Sequence, residues 1–71
     1  MSVKDLKRSM TIRGHRTSIS LEIEFWDQIR KRAEMEKKSL AVLIAEIDAT
    51  RGARNLSSAI RVYVLKGLLA G

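Results

Sequence analysis

From His15 to Glu22 polar and apolar residues alternate: Ile19 and Leu21 fall between Ser18, Ser20 and Glu22, and Arg16 and Thr17 extend the pattern backwards. A period of two is the signature of a strand with one buried and one solvated face. Beyond Glu22 the period changes. Phe25, Trp26, Ile29 and Ala33 recur at three- and four-residue spacing and predict an amphipathic helix over 23–36. Glu22, Glu24 and Asp27 at its start and Arg30, Lys31 and Arg32 further on suit the helix dipole. Ser39 is the expected N-cap of a second helix, whose stripe is Leu40, Leu43, Ile44 and Ile47, with Val42 partly on the same side. Gly52 is a candidate left-handed C-cap. A third helix, capped by Asn55 or Ser57, carries Leu56, Ala59, Ile60, Tyr63 and Val64, and Val62, Leu65, Leu68 and Leu69 widen the stripe beyond one face.

Upstream, Met1 to Arg8 shows no periodicity and predicts a mobile segment. Met10 and Ile12 sit at even positions whereas Ile19 and Leu21 sit at odd ones. A turn or bulge at Gly14 is where that parity can change. The strand at 15–22 is the only clear one. A lone strand cannot pair its own backbone groups, so its simplest partner is a second copy across a two-fold axis. The outer face of the resulting ribbon would carry Arg16, Ser18 and Ser20. A two-stranded ribbon fits the major groove of DNA.

Composition sharpens this picture in three ways. With 71 residues and no cysteine, the chain has a small core and no disulfides, so oligomerisation is the expected stabilising device. The net charge of +6 is concentrated at the start, where Lys4, Lys7, Arg8, Arg13 and Arg16 face Asp5 alone. A basic segment leading into the strand suits a phosphate backbone, or else it is a solvated tail. An acidic membrane surface is a weaker candidate, because the segment lacks interfacial aromatics. No apolar leader or membrane-length run is visible, which predicts a cytoplasmic, nucleoid-associated protein. The single histidine, His15, stands in no recognisable catalytic or metal-binding arrangement, so neither an enzyme nor a cofactor is expected. Trp26, on the apolar face of its helix, is expected in the core with its indole N–H near the surface.

The run Arg16-Thr17-Ser18-Ile19-Ser20-Leu21, the stripe Phe25, Trp26, Ile29, Ala33 and the segment from Ser39 through Leu43, Ile44 and Ile47 resemble the ribbon-helix-helix family, the MetJ and Arc type of DNA-binding fold. The Gly14–Glu22 and Arg54–Arg61 stretches look like a bacterial subgroup of small members. The resemblance implies a mainly α chain with one short strand, forming an intertwined homodimer through a two-stranded antiparallel intersubunit β-ribbon, plus a third helix. Its expected layout is a basic flexible arm at 1–14, a ribbon-helix-helix core at 15–50 and a C-terminal helix extension at 51–71. The dimer core would comprise Ile19, Leu21, Trp26, Ile29, Leu43, Ile44 and Ile47.

The resemblance further implies that Arg16, Ser18 and Ser20 contact base edges. Ser39 and Leu40, at the start of the second helix, would hold a phosphate, with Lys37 and Lys38 beside them and Arg13 and His15 at the backbone near the strand. Where the family commonly has glycine and then an apolar residue, this chain has Lys37-Lys38, so Lys37 must turn left-handed or the turn differs. The implied function is a sequence-specific regulator, a repressor, binding double-stranded DNA as a dimer or a dimer of dimers. Two alternatives remain: an antitoxin whose third helix grips a toxin or other protein partner, and a protein-interaction dimer that never meets DNA.

Overall fold

The computed structural model describes residues 5–70, in the order β1 (Asp5–Ile12), β2 (His15–Glu22), α1 (Ile23–Met35), α2 (Leu40–Thr50) and α3 (Leu56–Ala70). The mobile segment expected at 1–8 lies outside the described residues for its first four positions. Its remainder, with Ser9 to Ile12, forms β1.

The strand at 15–22 is therefore not alone. β1 and β2 are antiparallel neighbours in a two-stranded sheet within one chain. Ile12 pairs with His15, leaving a two-residue turn of Arg13 and Gly14. Both have positive φ, 54° and 83°, as the tight hairpin turn matching strand twist requires. Intersubunit pairing is thus not needed to satisfy one side of β2: a local partner is available at the cost of two left-handed residues. The same turn resolves the parity mismatch. Opposed residues share a face, and the register sets Met10 against Thr17 and Ile12 against His15. Even positions of β1 therefore lie with odd positions of β2, facing the helices.

That inner face closes one core with all three helices. Ile12, Ile19 and Leu21 from the hairpin join Trp26, Ile29 and Ala33 of α1, Leu43, Ile44 and Ile47 of α2, and Ala59, Ile60 and Val64 of α3. The seven residues expected to form a dimer core are each no more than 5% exposed within one chain. Because Ile60 is completely buried, α3 is a structural wall of this core. Two polar clamps hold it there. Arg61 donates to the Glu22 carboxylate at 2.9 Å, at the junction of β2 and α1. Tyr63 donates to Glu36 Oε2 at 3.0 Å.

The helix ends follow local chemistry. Ser39 Oγ accepts from the Val42 N–H at 3.1 Å and Asn55 Oδ1 from the Ser58 N–H at 2.8 Å, each an N-cap bond. Gly52, with φ 62°, takes the expected left-handed position after α2. At the end of α1 the Lys38 N–H reaches Ala33 O and the Lys37 N–H reaches Glu34 O, at 2.9 and 3.1 Å. This is a Schellman ending with a lysine, φ 56°, where glycine is usual. Among the described residues no helix is long and apolar enough to cross a membrane.

Candidate nucleic-acid interface

The outer face of the hairpin is polar from end to end. β2 contributes Arg16, Ser18 and Ser20, and β1 sets Thr11, Ser9 and Lys7 directly opposite them. All six are exposed except Ser20, which is half-buried. The predicted base-contacting residues are therefore together on one solvated face. Sequence reasoning missed Lys7, Ser9 and Thr11 because it placed no strand there. The parity of Met10 and Ile12 was the available signal, since it fits a hairpin once the turn is two residues long.

The predicted phosphate contacts divide into two places. Arg13 lies in the hairpin turn and His15 directly follows it, and both are exposed. Arg13 lies 3.8 Å from Asp48, in the last turns of α2. Lys37, Lys38, Ser39 and Leu40 stand at the other end of α2. Eight residues separate Leu40 from Asp48, about 12 Å along a helix axis. One phosphate cannot bridge the two groups.

The α2 end has the makings of an anion site, since the first N–H groups of a helix lack internal partners. Ser39 occupies that of Val42, which leaves those of Leu40 and Ala41 for another acceptor. Its two lysines differ. Lys37 is exposed. Lys38 Nζ is held by Glu46 at 2.6 Å and Glu36 at 3.2 Å, and these hydrogen bonds raise its pKa. Glu36 in turn accepts from Arg32 at 2.7 Å; the bonds from Arg32, Lys38 and Tyr63 hold its carboxyl below the usual range. Lys38 thus ties the end of α1 to α2, and Lys37 is the better placed of the two to meet an anion.

Trp26 is 3% exposed, and its indole N–H donates to Leu6 O at 2.7 Å. Arg8 lies over the ring, 5.4 Å from its centre. The tryptophan is a core residue that fastens β1 to α1. Among the described residues no cluster of three His, Cys, Asp or Glu side chains could hold a metal ion.

A different surface lies at the far end of α3. Leu65, Leu68 and Leu69 are 53, 61 and 79% exposed, and Met35 at the end of α1 is 74% exposed. Between these helices runs a groove of about 480 Å³ lined by Gln28, Lys31, Met35, Tyr63 and Leu68 among others.

The family model described as the ribbon-helix-helix domain matches residues 6–68, nearly the whole chain including β1 and most of α3. Neither a curated protein nor a solved structure matches the chain.

Proposed function

Because the chain belongs to the ribbon-helix-helix family, we propose that it is a sequence-specific transcriptional regulator, a repressor, that places its β-ribbon face in the major groove. Domains of this family are typically non-enzymatic DNA-binding regulators and generally bind DNA as dimers. The observation that carries the reading is the outer face of the hairpin, where Arg16, Ser18 and Ser20 stand clear of the core. Arginine bonds guanine through O6 and N7, and serine hydroxyls donate to or accept from several base edges. Arg13, His15, Lys37 and the N–H groups of Leu40 and Ala41, following Ser39, meet phosphates, with Lys38 fixing the turn that presents them. Two copies read two half-sites, and dimers of dimers fill tandem sites on the nucleoid.

Selection of duplexes from a random pool tests this. The full chain should enrich an inverted repeat, with binding that falls steeply as salt rises. Recovery of no preferred sequence would overturn it.

A second reading is that the chain is an antitoxin, with α3 gripping a protein partner. The exposed Leu65, Leu68 and Leu69 of α3 favour it, with Leu68 lining the same groove as Met35, because exposed apolar side chains grouped on one helix end mark interaction surfaces. A toxin gene overlapping the neighbouring frame, with a product that binds this surface, would decide for it.

A further inference from the structure

Between α2 and α3 lies a second cleft, of about 360 Å³, at the small end of the range that holds organic ligands. Its floor is apolar: Leu43, Ile47 and Ala59 are buried and Val62 is half-buried.

Most of the polar lining is already committed. The Glu46 carboxylate holds Lys38 at 2.6 Å. Arg51 donates through Nε to Asp48 at 2.7 Å and through Nη1 to the carbonyl oxygen of Arg54. The Thr50 hydroxyl donates to the Glu46 carbonyl oxygen at 3.3 Å, and the Tyr63 hydroxyl donates to Glu36 at 3.0 Å. Arg54 and Lys66 are different. Both side chains line the cleft, both residues are exposed, and neither has an ion-pair partner among the described residues. The side chains left without a partner are thus both cations.

Their placement adds a length. Arg54 stands two residues ahead of α3, and Lys66 lies seven residues beyond Ala59, about 10 Å along the helix axis. The two cations therefore stand toward opposite ends of the apolar floor.

We propose that this cleft binds an elongated small organic dianion. Arg54 and Lys66 take its two acidic groups, and the floor of Leu43, Ile47, Ala59 and Val62 takes its apolar middle. Arginine meets a carboxylate or phosphate through two parallel N–H···O bonds, and lysine meets one as a point charge. Burial of the middle against the floor adds the hydrophobic part. A neutral ligand of the same shape gains only that part and leaves both cations in water. The inference does not depend on the DNA-reading function.

An NMR titration of the full-length chain tests it, because amide shifts report both affinity and place. The probe is sebacate, a straight-chain dicarboxylate, and its control is the diol of the same chain length. Sebacate should shift amides of the cleft residues, bind once per chain and exceed the diol by about tenfold or more in affinity. Arg54→Gln and Lys66→Gln should each remove most of that advantage. Both side chains are exposed, so the fold should survive, as circular dichroism checks. Lys31→Gln, in the groove between α1 and α3, should leave sebacate binding unchanged. If a charge variant unfolds, Val62→Phe is read in its place, since it fills the cleft without touching a charge and should also weaken binding. No binding of sebacate, equal affinity for the diol, unchanged binding in any folded cleft variant, or an equal loss in Lys31→Gln overturns the inference.

Discussion

The two faces of the hairpin are built from alternate residues of the same strands, yet they answer to different demands. On the inner face Ile12, Ile19 and Leu21 are 3% exposed or less and touch a core shared by three helices. On the outer face Ser9, Thr11, Arg16 and Ser18 are exposed, and nothing in the fold dictates their identity. In a domain this small one face supplies stability and the other is free of packing demands. The two properties should therefore separate cleanly under mutation.

The largest effect expected is that of Ile19→Asp. It puts a charge, with no partner, into a fully packed site, at a cost that exceeds the stability of a small domain. Circular dichroism should show an unfolded chain; a folded variant would mean that the inner face tolerates water. Gly14→Ala acts on both faces at once. No atom lies within 4 Å of the added methyl group, so the cost is that of a left-handed alanine, about 1–2 kcal/mol. A shift of the urea midpoint should report it, and no shift would mean that the turn can relax without loss. Arg16→Ala, Ser18→Ala and Ser20→Ala together should change stability by less than about 0.5 kcal/mol each. A loss of several kcal/mol on denaturation would show that the outer face is packed after all.

The same contrast governs what could be read from the sequence. The inner positions of β2 and the helix stripes were legible because burial imposes a period, and the seven residues expected in a dimer core are buried already within the single chain. The caps at Ser39 and Asn55 and the left-handed Gly52 were legible because each depends on only a few neighbouring residues. β1 was not. Its polar positions hold Lys7, Ser9 and Thr11, but Arg8 interrupts the alternation of Leu6, Met10 and Ile12, and a hairpin is recognised by its turn. Asn-Gly would have announced that turn; arginine is an uncommon left-handed residue, so Arg13-Gly14 gave only half the signal. Without β1 the partner of β2 was sought in another copy, and three residues of the candidate reading face went unseen. The clamp of Arg32, Lys38 and Tyr63 around Glu36, with Glu46 holding Lys38 from α2, was also illegible, since it exists only once three helices have converged.

Glu36 also gives the fold a pH dependence. Its carboxyl, like that of Glu22 held by Arg61, has a lowered pKa. The stability these contacts contribute is present above the ordinary carboxylate range and is lost as pH falls through their lowered values.

Trp26 makes the chain its own spectroscopic probe. It is the sole tryptophan, its indole nitrogen is bonded to the backbone of β1, and the guanidinium of Arg8 covers its ring. Any event that lifts β1 away from α1 breaks that bond and exposes the ring to solvent while α1 stays helical. Intrinsic fluorescence can therefore follow the docking of the first strand in unlabelled protein, separately from the helical signal that reports on the rest of the molecule.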